Sequence, residues 1–383
     1  MEQMHQSIKL GRIAGIPVGI NWSVLVIFWL LMWGLAASLL PADYPGYSRA
    51  DYWIAAAVAS IIFFASLLAH ELGHSILAKR NGVGVSEITL WLFGGVSELE
   101  KEALTPGADF RIAAAGPMIS ILLGAVFVLM GFIFKLLSVP ELIAGTTSWL
   151  GWINFLLAGF NLVPAAPLDG GRILRAALWR HNGNRTKATI TAARAGRAFG
   201  YILIGLGILE FAFGDLSGLW PAFLGWFLLV AARSEESAAL LRGALTGYKV
   251  KDLMSVNPTV VPASITVDEF TNTYLLSHRF SSYPVADATG QLTGLVTLDR
   301  IRHVPRHQHA YVTLGELANP INKVPLAHPQ ESLPDLLERM AGHRDGRALV
   351  IDHTGRLLGI ISPSDISRAV QIASLRGNAP VQH

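Results

Sequence analysis

Ile61-Ile62-Phe63-Phe64-Ala65-Ser66-Leu67-Leu68-Ala69-His70-Glu71-Leu72-Gly73-His74-Ser75 sets three groups that prefer water inside a run suited to lipid. On a helix, His70 and His74 are i and i+4, about 40° apart around the axis, so both imidazoles reach one metal ion. Glu71 lies one step round, beside the open position of such an ion. Two neutral imidazole nitrogens and a carboxylate suit tetrahedral zinc, and the neighbouring Glu71 is placed to take a proton from water there. Two histidines packed on a polar helix face would have the same spelling. The residues ahead of them are apolar, however, and ionisable groups in a membrane segment are costly to keep and mark function.

The rest of the chain fits that setting. Of its 383 residues 52% are hydrophobic and 15% charged, with a mean hydropathy of +0.44, the balance of a membrane protein with room for more than one domain. The net charge of +3 is small, and the basic residues lie near helix ends instead of on one face, which excludes nucleic acid as a partner. Without cysteine there is no disulfide and no thiolate ligand, so zinc must be held by histidine and carboxylate.

Apolar runs at 18–40, 52–78, 111–137, 149–164, 199–213 and 219–232 predict about six spans, the first retained and not cleaved. Between the second and third, Val83, Val85, Ile88, Leu90 and Leu92 alternate among Gly82, Gly84, Gly94 and Gly95. That predicts a short β-hairpin, which is either purely structural or pairs through an exposed edge with an extended peptide. Gly116-Pro117 and the small residues around it read as close helix packing. In the stretch from Asn161 to Arg172, Pro164 and Pro167 break the helix and free backbone groups that lipid cannot satisfy, so it should face protein or water. Alone, its Pro, Asp and Gly spell an ordinary loop; joined to His70 and His74, Asp169 completes a metal site. Lys9, Arg12, Lys79, Arg80, Lys101, Arg111, the basic stretch 172–197 and Arg233 all fall on one side of six spans. Both termini are then cytoplasmic and the chemical segments lie toward that face, as in a prokaryotic inner membrane.

Residues 1–233 thus form a polytopic α-helical membrane domain and 234–248 a linker. Beyond it the sequence turns soluble and mixed α/β, with an internal repeat over 249–310 and 311–373 and a disordered tail at 374–383. Gly294-Leu295-Val296-Thr297-Leu298-Asp299-Arg300-Ile301 recurs as Gly359-Ile360-Ile361-Ser362-Pro363-Ser364-Asp365-Ile366, each after a strand and a turn.

Taken together, His70 to His74, Phe93-Gly94-Gly95, Ala115-Gly116-Pro117 and the stretch from Asn161 to Arg172 resemble the site-2 protease family of intramembrane zinc metalloproteases. The resemblance implies a three-helix catalytic core in the second, third and fourth spans. It implies one zinc per chain on His70, His74 and Asp169, with Glu71 as general base and Asn161 holding the unwound backbone of a transmembrane protein substrate. The repeat is similar to tandem CBS domains, which implies an adenine nucleotide ligand (ATP, ADP or AMP) and a homodimer through the pair. In that pattern Ser362 and Asp365 contact the ribose, whereas the first copy has Thr297 followed by Arg300. The expected function is an endopeptidase cutting within lipid near the cytoplasmic side and regulated through the CBS pair. A CBS-regulated transporter or channel, with His70, Glu71 and Asp169 along an ion path, and a non-catalytic scaffold remain the alternatives. The i, i+4 histidine pair, which an ion path does not need, separates them.

Overall fold

Each apolar run becomes a helix in the computed structural model, which describes residues 7–91, 94–99, 103–275, 277, 280–343 and 345–375. The chain divides into two units, one ending at Ala239 and one starting at Leu240. In the first, helices α1 (Ser23–Asp43), α2 (Arg49–Arg80), α3 (Pro106–Leu136) and α4 (Glu141–Asn161) are each long and apolar enough to cross a membrane. The short α5 (Asp169–Asn182) is not. Helix α6 (Arg185–Ala212) and the stretch ending in α7 (Leu219–Leu245) bring the spans to six among the described residues.

The ends of these helices are written locally. Ser48 caps α2 by accepting from the Asp51 backbone nitrogen at 3.2 Å while Asp51 accepts back from Ser48. Lys79 and Arg80 occupy its last turn, where the helix dipole favours cations. Pro106 opens α3, where a missing N–H costs nothing, and Thr105 caps it. Pro117 lies buried inside this helix without ending it, as membrane helices allow when neighbours cover the freed carbonyl.

Two expectations for the region before the third span change. The first span starts at Ser23, because 16–21 is a strand. Ile16, Val18 and Asn21 are buried there, and Asn21 turns the chain into the helix by accepting from the Ser23 nitrogen at 3.0 Å. Hydropathy alone merges such an apolar strand with the helix after it. The expected hairpin is also half of a larger sheet. Strands β1 (Ser7–Ile13), β2 (Ile16–Asn21), β3 (Val85–Trp91) and β4 (Gly94–Leu99) lie in that order, with β2 parallel to β3 and Val18 opposite Ile88. Leu92 and Phe93, at the tip between β3 and β4, lie outside the described residues.

In the second unit β5 (Ser255–Val256), β6 (Val261–Pro262), β7 (Ser282–Ala286), β8 (Leu292–Thr297), β9 (Asn319–Pro320), β10 (Leu326–Ala327), β11 (Ala348–Ile351) and β12 (Leu357–Ile361) make two sheets, ordered β6-β7-β8-β9 and β10-β11-β12-β5. The strand leading each copy pairs with the last strand of the other, so neither sheet is complete alone. Both copies turn identically: Asp287 Oδ1 accepts from the Thr289 hydroxyl and Asp352 Oδ1 from that of Thr354, each at 2.6 Å. Gly290 and Gly355 follow, both at φ +84°. Helix α7 runs through 234–245, where a linker was expected, and its Leu245 is fully buried among Val250, Leu333 and Leu336. The residues 376–383 of the expected tail lie outside the described residues.

Candidate metal centre

His70 and His74 project from the last three turns of α2, both buried, and Asp169 is the first residue of α5. Nearly a hundred residues apart in sequence, they meet at one point. His70 Nε2, His74 Nε2 and Asp169 Oδ2 form a triangle with every edge 3.2 Å. The other nitrogen of each ring is held from behind by α3: His74 Nδ1 donates to the Ile112 carbonyl at 2.7 Å, and His70 Nδ1 lies 2.9 Å from Ser120 Oγ. A carbonyl only accepts, so His74 carries its proton on Nδ1 and turns a lone pair inward; the same tautomer at His70 donates to Ser120.

An anionic oxygen and two lone pairs facing one another require a positive centre. Edges of 3.2 Å match a tetrahedral ion with bonds of roughly 2.0 Å, the values for zinc with nitrogen and oxygen donors. Among the described residues this is the one cluster of three such donors able to share an ion.

Two glycines leave the room. A methyl on Gly116 would collide with the Nε2 atoms of both His70 and His74, and one on Gly95 would collide with the Glu71 carboxyl. Gly116, read from sequence as helix packing, thus lets α3 approach the face of the imidazole pair. Gly116 and Ser120 repeat the spacing of His70 and His74, and that matched i, i+4 pattern on consecutive spans was the available signal. Ile112 acts through its backbone, which no side chain advertises. Asn161 ends α4, and its amide donates back to the Leu157 carbonyl at 3.1 Å. In the second unit Ser362 Oγ donates to Asp365 Oδ2 at 2.5 Å, and Asp365 Oδ1 accepts from Ser255 Oγ at 3.0 Å. In the first copy Thr297 caps its helix through the Arg300 nitrogen, and the Arg300 guanidinium reaches the Leu317 carbonyl and Asp345.

Comparison with known proteins bears on both units. Residues 58–148 and 138–203 match the model of peptidase family M50, and 250–307 and 314–372 match the CBS domain. Rip3 of Mycobacterium tuberculosis is 46% identical over 380 residues, 98% of this chain and 96% of that one. The chain belongs to peptidase family M50. A zinc metalloprotease of Methanocaldococcus jannaschii is 30% identical to this M50 protein over 97% of the chain and 98% of its own length. The solved site-2 protease from the same organism shares 30% identity, covering 60% of this chain and 95% of its own, with a TM-score of 0.41. The protein is therefore an integral membrane zinc metalloprotease of the site-2 protease family with a CBS pair, which sets aside the transporter and scaffold readings.

Proposed function

We propose that this M50 protein is an intramembrane endopeptidase that hydrolyses peptide bonds of transmembrane proteins near the cytoplasmic side. His70, His74 and Asp169 hold its zinc and Glu71 is the general base. The observation that carries the reading is the buried triangle of two imidazole lone pairs and one carboxylate oxygen with 3.2 Å edges. Bound there, zinc supplies a Lewis acid for the scissile carbonyl and lowers the pKa of water. Glu71, next to His70 and under Gly95, accepts the proton of the attacking water and returns it to the leaving amine.

A helical substrate hides its carbonyls in its own hydrogen bonds, so it must unwind before attack. Strand β4 lies at one edge of its sheet and crosses Glu71, which supports pairing of the unwound segment along it. Asn161, at the end of α4 and eight residues before Asp169, supplies a further polar contact for that backbone. Lys79 and Arg80 directly after the histidine turns support a centre near the cytoplasmic face of an inner membrane, with both termini and the CBS pair on that side. The CBS pair takes an adenine nucleotide at Ser362 and Asp365. Zinc analysis and cleavage of a co-expressed membrane substrate test the mechanism together. Glu71→Gln keeps zinc and loses about 10²–10⁴-fold in cleavage; undiminished cleavage by this variant would remove Glu71 as the base.

A further inference from the structure

The triangle requires α2, α3 and α5 to keep their spacing, yet α5 enters after a proline-broken segment. A buried charge cluster one to two turns below the triangle addresses this. Asp109, in the first turn of α3, is 1% exposed. Its two oxygens take the Arg175 fork, Nε at 2.9 Å and Nη2 at 2.8 Å, and Arg172 stands 3.7 Å away. Arg172 and Arg175 follow Asp169 by three and six residues on α5. Three residues beyond Asp109 on α3 is Ile112, whose carbonyl orients His74, and Ser120 behind His70 is on the same helix. One bidentate pair therefore joins the helix that aims both imidazoles to the helix that carries the third donor.

The cluster extends to α7. Arg175 Nη1 lies 3.6 Å from Glu235, while the adjacent Glu236 binds Arg194 at 3.2 Å and Arg197 at 2.9 Å on α6. Helix α6 in turn lies against the broken segment, its Ala192 carbonyl accepting from the Ala166 nitrogen at 3.2 Å.

We propose that Arg175, held between Asp109 and Glu235, is a positioning residue that seats Asp169 in the metal triangle, and that it makes this seat depend on the placement of α7. The proposal rests on the zinc reading above. A planar guanidinium matches a carboxylate in a way that a lysine ammonium cannot, so the demand is for the fork and not only for charge. Supporting contacts of this kind change metal affinity by about 10–100-fold.

The full-length protein in detergent, loaded with zinc and titrated with a competing chelator, tests it, with thermal midpoints and cleavage rates alongside. Arg175→Ala should weaken zinc by about 10–100-fold, Arg175→Lys should restore only part of that, and Glu235→Ala should weaken it less than Arg175→Ala. Arg194→Ala breaks a more exposed ion pair, to Glu236, that does not reach α5, so it should leave zinc affinity alone. If Arg175→Ala does not fold, Arg175→Lys carries the test. Wild-type affinity in both Arg175 variants, or an equal loss in Arg194→Ala, would overturn the proposal. His70→Ala is the control for the zinc reading itself, because zinc retained there would sink that reading whatever Arg175 does.

Discussion

The metal triangle and the Ser362–Asp365 corner are both small polar clusters, and they are built on opposite terms. In the triangle each imidazole is buried and pinned by a second partner on α3, while Asp169 leads a short helix tied to α3. At the corner Ser362 and Asp365 mostly bind each other and Ser255, close to the surface. A polar group kept in a membrane interior without a partner would cost several kcal/mol, roughly, and the contacts with α3 offset that cost for the two imidazoles. On the CBS pair a serine and an aspartate cost little, and they also serve as an ordinary helix cap.

The sharpest way to break this contrast is to fill the gap above the imidazoles. Gly116→Ala pushes a methyl at two rings that cannot swing away, because Ile112 and Ser120 hold their far sides. Zinc content of the purified variant should fall close to nothing and cleavage with it, while the fold loses no more than about 1–3 kcal/mol from overpacking. Gly95→Ala meets Cγ and the carboxyl of the Glu71 side chain and neither imidazole among its nearest atoms. It should keep its zinc and lose rate. Equal zinc loss in the two variants would mean that the glycines serve helix packing alone.

The same contrast explains what could be read from the sequence. His70, Glu71 and His74 stood out because their surroundings were apolar, and Asp169 was picked out only by joining its proline-broken stretch to that pair on the same side of the membrane. Gly116 stayed hidden because glycine is expected wherever membrane helices touch. The N-terminal strand Ile16–Asn21 was lost because its alternation is too short to separate from the helix that follows. Its pairing with β3 is a contact across more than sixty residues, which no local pattern encodes. In the CBS pair the repeat was legible from Gly294 and Gly359 onward, but the exchange of β5 and β9 between sheets was not, since two-residue strands have no period.

A second test sets the two CBS copies against each other. Asp365 and Arg300 hold equivalent places, yet Arg300 is engaged with Leu317 and Asp345 of the second copy. Isothermal titration of the full chain with AMP, ADP and ATP should therefore find one adenine nucleotide per chain. Asp365→Ala should weaken it tenfold or more, the loss of a charged hydrogen-bond acceptor of about 1.5–3 kcal/mol. Arg300→Asp should raise the stoichiometry toward two. Two sites in the wild type would erase the distinction between the copies; no binding at all would leave the pair as a structural module.

The smallest effect separates the copies least, because it tests what they share. Asp287 and Asp352 each close a turn, and the hydroxyls of Thr289 and Thr354, followed by the backbone nitrogens of Gln291 and Arg356, hold both carboxyls below the usual carboxylate range. A carboxyl depressed in the folded state contributes stability that is fully present above its unfolded value, about 3.9, and lost as pH falls through the folded value. Asp352→Ala should thus lower the thermal midpoint of the CBS transition slightly at pH 7, with the difference from wild type closing below about pH 4. Both groups are exposed, so solvent keeps the effect small, and Asp287→Ala should match it. A difference that widens in acid would show that the turn is held by something other than the charged carboxylate.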